Sequence, residues 1–395
     1  MEPIPSSELD RDAVHRAIAE RAARSGIERV HLLAFRDLDD PDAGGSEVHA
    51  ANVARHLAAA GLEVVHHTGR VRGAPAELQR DGVRVLRHGG RLGVFPRTAR
   101  WLRRARLGPA DGILEIFHGI PFFAPVFAPR VAHVGLVHHV HLGVWHHLLP
   151  APGAAVGHLL ERFAVPRVYR HRTILTIARS SREEVLRAYR ADPALVGVAD
   201  SGVADHFSPG GHREARPLVV VVARLMPQKG LGDLLQAFGA VRAALPEARL
   251  AIVGSGPERA AVERRVAALG LTGSVELTGF VPTDELVGWY RRAWVVASAS
   301  VREGYNLTLV EGAACGTPSV ARRIPGHVDA VVDGTSGLLV DDVPGLASAL
   351  VEVLTDDALR ERLGRGALEH ARPFRWERTA LAVVEALCQD ADRRR

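Results

Sequence analysis

The sequence predicts an α/β protein built as two domains, each around a parallel β-sheet. Three observations carry this. A chain of 395 residues exceeds what one hydrophobic core accommodates. Strand-length apolar runs alternate with amphipathic helical stretches in both halves, which implies right-handed crossovers and parallel sheets. A composition of 47% hydrophobic and 24% charged residues is that of an ordinary globular protein. Composition shifts to Gly, Pro and charge in "SGVADHFSPGGHREARP", Ser201–Pro217, the expected linker. The expected domains are residues 1–205 and 206–375, with a C-terminal helix over 376–395 packing back toward the first domain.

In chain order, an extra helix is expected over Ser7–Arg24, then the strand "RVHLLAF" and the turn "RDLDDPDAGGS". The following helix has Ser46 as its expected cap, Val48, Ala51, Ala54 and Ala58 on one face, and Gly61 as its stop before the strand "LEVVHHT". "GVRVLR", "GILEIFH" and "RVAHVGLVHH" read as buried strands, and Ala154–Tyr169 and Ser181–Tyr189 as helices. In the second half "PLVVVVARL" is a β-branched run of parallel-strand type. The next helix shows Leu231, Leu234, Leu235, Phe238, Val241 and Leu245 at helical spacing. "ARLAIVGSG", "SVELTGF" and "AWVVASAS" read as strands, separated by helices at "PERAAVERRVAALG" and Asp284–Arg291. Two such domains facing one another leave a cleft, and open α/β sheets bind ligands beyond the carboxyl ends of their strands.

The formal charge of +5 suits an anionic partner, yet acidic residues are interspersed throughout and no nucleic-acid module is present. A nucleic-acid partner is therefore not expected. No apolar run approaches the roughly 18–20 residues of a membrane span, and the N-terminus lacks the pattern of a secretory leader, so the expected location is cytoplasmic. The basic stretch "RTARWLRRARLG", Arg97–Gly108, reads as a solvated helix face with Trp101 and Leu102 packed inward, or as a helix lying on an anionic membrane. The second reading leaves peripheral contact at the inner face of a membrane open. Cys315 and Cys388 lie far apart without metal-like spacing and read as reduced, buried positions.

Four loops fall at strand carboxyl ends. In "DAGGSE", Gly44 and Gly45 allow close backbone approach before a helix start. "RLMPQKG" holds Lys229, the single lysine in a chain of 50 Lys plus Arg. Together with Arg224 it places two cations of different shape beside a helix N-terminus, a disposition suited to a diphosphate. "VGSGPE" offers Gly254 in a second glycine-rich turn. "REGYNLTLVEGAACGTPSVA" separates Glu303 from Glu311 by seven residues, with a helix expected to start near Tyr305 or Asn306. Eight steps at ~1.5 Å span at most about 12 Å, so the two carboxylates suit opposite ends of one elongated ligand. A nucleotide sugar has that shape.

"REGYNLTLVEGAACGTPSVA" and "VARLMPQKGLGDLLQAF" resemble the donor-binding half of the family-4 retaining glycosyltransferases, which have the GT-B fold of two Rossmann-like domains. "DPDAGGSEVHAANVARHLAAAGLEV" and "RSSREEVLRAY" extend the likeness to the first half. The resemblance implies that Arg224 and Lys229 hold the donor diphosphate, that Glu303 meets the sugar hydroxyls and that Glu311 meets the ribose. It further implies that the amides of Gly304, Tyr305, Asn306 and Leu307 face the phosphates, that the backbone at Phe280 and Val281 reads the base, and that Gly44 and Gly45 face the diphosphate from the other domain. A histidine near the reacting carbon is expected at His138, with His139 as its rival. Where the family has an Asn-Gly-Val-Asp stretch, this chain has "DSGVAD", with Ser201 in place of the asparagine.

The implied reaction is retaining transfer of a hexosyl group from a UDP- or GDP-sugar to a small-molecule, polysaccharide or lipid-linked acceptor, with no cofactor and no required metal. Other readings compete. Asp37 and Asp39 form a D-x-D such as metal-dependent transferases of another fold use, and the crowd of His138, His139, His141, His146 and His147 could bind a metal. A GT-B-like epimerase, a phosphorylase or a catalytically silent nucleotide-sugar-binding partner subunit are further alternatives.

Overall fold

The computed structural model describes residues 11–143, 145–148 and 150–395; the expected helix start at Ser7 lies outside them. The chain forms two compact units. One comprises the described residues through Gly202 together with Phe374–Arg395, and the other is Val203–Pro373.

The first unit is built on β1 (Arg29–Leu33), β2 (Glu63–Thr68), β3 (Glu77–Arg80), β4 (Val83–Arg87), β5 (Asp111–Phe117), β6 (Ala132–Val137), β7 (Thr173–Thr176) and β8 (Val196–Val198). Their order is β3-β4-β2-β1-β5-β6-β7-β8. All neighbours are parallel except β3 and β4, which are antiparallel. The central strands β5 and β6 are buried along their full length, as expected where helices cover both faces of a parallel sheet. The polar strand β3, "ELQR", is the antiparallel edge, and no apolar alternation announces it.

The helix Gly45–Ala59 differs from its expected form. Gly44, not Ser46, is its N-cap, and the Glu47 carboxylate reaches back to the Gly44 amide at 2.7 Å. Its buried face is Glu47, His49, Ala50, Val53, Ala54, His56 and Leu57, while Val48 is exposed. Hydrophobic periodicity misplaces the face because three of the inward side chains are polar. The helix Val94–Arg104 buries Leu102 and sets Trp101 against His67 with ring centroids 4.0 Å apart. The apolar side of the basic segment thus faces the protein interior rather than a lipid surface.

The last helix, Trp376–Arg394, packs in this first unit, burying Ala380, Val383, Val384 and Leu387. Its Asp390 carboxylate accepts hydrogen bonds from the His133 amide and the Thr173 hydroxyl, both at 2.9 Å, at the beginnings of β6 and β7.

The second unit carries β9 (Leu218–Val222), β10 (Arg249–Val253), β11 (Val275–Gly279), β12 (Val295–Ser298), β13 (Ser319–Arg322) and β14 (Gly337–Val340). The order is β11-β10-β9-β12-β13-β14, and every pairing is parallel. The helix Leu231–Ala244 buries Leu231, Leu234, Leu235, Phe238 and Val241, the stripe that its spacing predicts, against Val219, Val221 and Ile252 of the sheet. Both cysteines are free and buried. Among the described residues no helix is long and apolar enough to cross a membrane.

Candidate active site

Beyond the carboxyl end of β9 the chain makes one 3-10 turn, Pro227–Lys229, and then enters the left-handed region at Gly230 (φ 61°). A Cβ there would sit 2.2 Å from the Ala299 carbonyl oxygen, so glycine lets the turn pass against the loop after β12. The Val301 amide donates to the Gln228 carbonyl at 2.9 Å and ties the two loops together. Lys229 thereby meets Glu303: Nζ donates to Oε1 at 2.6 Å, and the Ser300 hydroxyl donates to the same oxygen at 2.8 Å. Both side chains retain some solvent access, 22% and 12%. Behind them Gly326 (φ 85°) packs so close that a Cβ would lie 2.8 Å from the Glu303 carbonyl oxygen.

Three residues after Glu303, Asn306 is the N-cap of the helix Leu307–Ala314. Its side chain is buried and fully engaged. Nδ2 lies 3.1 Å from Ser298 Oγ and 3.0 Å from His327 Nε2, while Oδ1 accepts from Thr308 at 2.8 Å. His327 Nδ1 lies 2.7 Å from the Arg322 carbonyl oxygen, which accepts only, so Nδ1 carries the proton and Nε2 of a neutral ring accepts from Asn306. Burial lowers the His327 pKa below its ordinary value and keeps the ring neutral. The segment Gly304–Leu307 is thus held at the positive end of a helix.

On the same helix Glu311 accepts a hydrogen bond from Tyr290 at 2.8 Å. Burial pushes its carboxyl up to about 7, with the Tyr290 hydrogen bond acting in the opposite sense. Arg224 lies exposed in the loop five positions before Lys229. Gly254 donates its amide to the Gly279 carbonyl at 2.8 Å, joining the ends of β10 and β11. Just beyond, Phe280 is 85% exposed, whereas Val281 packs its side chain into the core with Trp289 and Ala293. Any ligand contact by Val281 therefore falls to its backbone.

In the first unit Gly44 and Gly45 open the helix Gly45–Ala59, and Glu47 gathers the polar groups around it. Oε1 accepts from Arg36 Nε at 3.1 Å and lies 3.0 Å from His118 Nε2, which is also 3.0 Å from the Ser46 hydroxyl. Burial opposes ionisation of Glu47, but the His118 contact, the Arg36 charge and the Gly44 amide outweigh it and hold the carboxyl at about 2. His118 stacks at 6.3 Å on His138, and His49 meets His138 edge-on at 5.1 Å. Both ring nitrogens of His138 are buried without a hydrogen-bond partner among the described residues, and burial drives its pKa well below the ordinary value. His139, the rival, is half-buried and stacks on His141 at 4.1 Å. Ser201, the departure in "DSGVAD", lies 3.1 Å from His49 Nδ1 behind His138. Among the described residues no group of three His, Cys, Asp or Glu side chains is placed to hold a metal ion; the His147 side chain lies outside them.

The second unit thus joins Lys229 and Glu303 directly, and links Asn306 to them through the Ser298 and Ser300 hydroxyls, 3.3 Å apart. The first places His138 beside the helix opened by Gly44 and Gly45. Sequence reasoning missed Ser300, Ser298, His327 and Tyr290, and in the first unit Glu47, His49 and His118. No local pattern marked Glu47, because a capping box is read from a Ser or Thr at the N-cap and Gly44 has no side chain; none existed for His327, which comes to Asn306 through the fold.

Residues 216–356 match the family model described as "Glycosyl transferases group 1". A D-inositol 3-phosphate glycosyltransferase of Kribbella flavida is 30% identical, over 91% of this chain and 95% of its own. A namesake from Acidothermus cellulolyticus is 31% identical over 94% and 93%. Among solved structures, sucrose-phosphate synthase from Thermosynechococcus elongatus superposes with a TM-score of 0.74 at 22% identity, covering 90% of this chain and 97% of the other. HepE of Anabaena in complex with UDP-glucose gives 0.67 at 17% identity, covering 92% and 98%. Two parallel-sheet units with loops gathered at strand carboxyl ends are those of a GT-B glycosyltransferase. The chain belongs to the group 1 glycosyltransferases.

Proposed function

We propose that this enzyme is a family-4 retaining transferase that moves a hexosyl group from a UDP- or GDP-sugar to an acceptor hydroxyl, without a required divalent metal. The observation that carries the proposal is the Lys229–Glu303 pair beside the N-terminus of the helix Leu307–Ala314. An ammonium and a carboxylate within 2.6 Å offer adjacent sites for a phosphate and for sugar hydroxyls, and a bound donor would exchange their mutual contact for one to each.

In the reaction the bond between the anomeric carbon and the phosphate oxygen breaks, and the diphosphate leaves with the electron pair. Lys229, Arg224 and the amides of Gly304–Leu307 stabilise the growing charge, which is greater in the transition state than in the bound donor. The acceptor oxygen bonds to the anomeric carbon on the face that the diphosphate leaves, and its proton passes to a phosphate oxygen. Glu303 orients the sugar, Glu311 meets the ribose, and Phe280 and Val281 flank the base through their backbone. The names of the relatives support a small phosphorylated polyol as acceptor class.

The test is to incubate the purified chain with a panel of UDP- and GDP-sugars and D-inositol 3-phosphate in the presence of a chelator. Release of nucleoside diphosphate coupled to a product of unchanged anomeric configuration supports the proposal. Nucleotide-sugar binding with neither transfer to this acceptor nor hydrolysis of the donor would favour a silent binding subunit.

A further inference from the structure

A helix on a protein surface ordinarily needs one apolar stripe, turned to the core. The segment Ala151–Tyr169 has two. It runs as an α-helix to Leu159, passes through one π-helical turn over Leu160–Ala164 and continues to Tyr169. Its inward side is Ala154, Gly157, Glu161, Val165 and Tyr169. On the opposite side Val156, Leu159 and Phe163 stand 56%, 55% and 49% exposed. This is the one helical segment among the described residues on which three large exposed apolar side chains recur at helical spacing.

Within the segment itself the exposed charges have one sign. Between Ala151 and Arg172 the single acidic residue is Glu161, and it is buried, accepting from the His141 amide, Trp145 Nε1 and the Tyr189 hydroxyl. The guanidinium groups of Arg162 and Arg167 lie 5.9 and 6.0 Å from the Phe163 ring centre, and Arg170 continues the row. From Val156 to Arg170 the face extends roughly 20 Å, at ~1.5 Å per residue.

We infer that this face is a docking surface for an anionic lipid bilayer, with Val156, Leu159 and Phe163 entering the headgroup boundary and Arg162, Arg167 and Arg170 meeting lipid phosphates. Apolar side chains on one face with arginines beside them are the composition of an interfacial helix. An exposed apolar stripe of this kind marks an interaction site, and the three arginines of the segment outnumber the one acidic residue next to the row, Asp192, whose amide donates to the Arg170 carbonyl at 2.8 Å, which favours an anionic lipid surface. The inference also relocates membrane contact from the basic helix Val94–Arg104, whose apolar side is already packed. Because Glu161 bolts the inward face to the loop that follows His138, lipid and the His138 loop are held in one rigid relation.

The test is co-sedimentation of the full chain with vesicles of equimolar phosphatidylglycerol and phosphatidylcholine, and with vesicles of phosphatidylcholine alone. The wild type is expected to pellet only with the anionic vesicles and to be released as salt rises. The surface double variant Leu159→Ser/Phe163→Ser should lose partitioning at least about tenfold, with unchanged melting temperature and unchanged nucleotide affinity. Arg167→Glu/Arg170→Glu should show the same loss. A wild type that stays in the supernatant, or serine variants that pellet as the wild type does, would overturn the inference. So would a self-associated wild type in sedimentation velocity that the serine variants render monomeric, since the stripe would then be an interface between copies. None of these readouts depends on which donor or acceptor the enzyme uses.

Discussion

Lys229 and Glu303, 74 positions apart in sequence, are in direct contact at 2.6 Å. The contact arises because the turn after β9 and the loop after β12 are hydrogen-bonded to one another through Gln228 and Val301. A chain with 50 Lys plus Arg and a single lysine keeps that lysine where a compact ammonium fits against a carboxylate oxygen already shared with Ser300. A planar guanidinium has a different reach and shape.

Lys229→Arg should therefore lower kcat/KM by roughly 100-fold, the scale of losing one well-placed charge-stabilising donor, and Lys229→Ala by at least as much. Steady-state kinetics with circular-dichroism melts on the same preparations check this. Near-normal turnover in the arginine variant would show that the shape of the cation at this position is immaterial.

His327→Leu should leave the buried Asn306 amide without its ring acceptor, at a stability loss of about 1–3 kcal/mol, and should reduce turnover by loosening the helix tip. His327→Gln offers a carbonyl oxygen to the same amide and should restore part of both. Urea unfolding and kinetics of the pair of variants decide it; equal behaviour of the two would mean that Asn306 is held by Ser298 and Thr308 alone.

Much of the second unit is legible in the sequence because its helices obey one rule. In Leu231–Ala244 every inward position is apolar, so spacing alone gives the buried stripe. The helix Gly45–Ala59 breaks the rule, since Glu47, His49 and His56 point inward and are held by specific partners. Such a face cannot be found from hydrophobic periodicity. The edge strand β3 is likewise silent, because pairing on one side with exposure on alternate residues asks for no apolar pattern. At the site, Glu303, Lys229 and Asn306 stand in loops that strand ends and glycines announce. His327 and Tyr290 reach them through tertiary contacts that no local spacing encodes.

Glu311 gives a pH dependence with a defined sign. Its carboxyl rises from an ordinary 4.5 to about 7 in the folded chain, so between those values the native state holds a proton that the unfolded chain has released. This contribution is complete below pH 4.5 and fades as pH rises to about 7, by at most about 3 kcal/mol. The difference in unfolding free energy between wild type and Glu311→Gln, followed from pH 5 to 8, should move in the glutamine's favour with rising pH. A constant difference would contradict the raised value.

The buried histidines of the first unit act in the opposite direction. Burial lowers His49 and His66 from 6.5 to about 3, and His138 well below its ordinary value. Below about pH 6.5 the unfolded chain takes up protons that the folded chain refuses, so stability falls as the medium is acidified, with up to about 1.4 kcal/mol per histidine for each pH unit. Hydrogen exchange at β2 and β6 should quicken between pH 6.5 and 5 beyond what the intrinsic exchange chemistry gives. Unchanged protection over that range would show that these rings accept protons in place.

The most direct measurement is calorimetric binding of UDP and GDP to the wild type, Lys229→Ala and Glu303→Ala. If Lys229 holds the diphosphate and Glu303 the sugar, Lys229→Ala weakens the preferred nucleotide at least about tenfold, a loss of ~1.4 kcal/mol or more. Glu303→Ala would leave nucleotide affinity nearly unchanged while transfer collapses. Wild-type nucleotide affinity in Lys229→Ala would contradict the account.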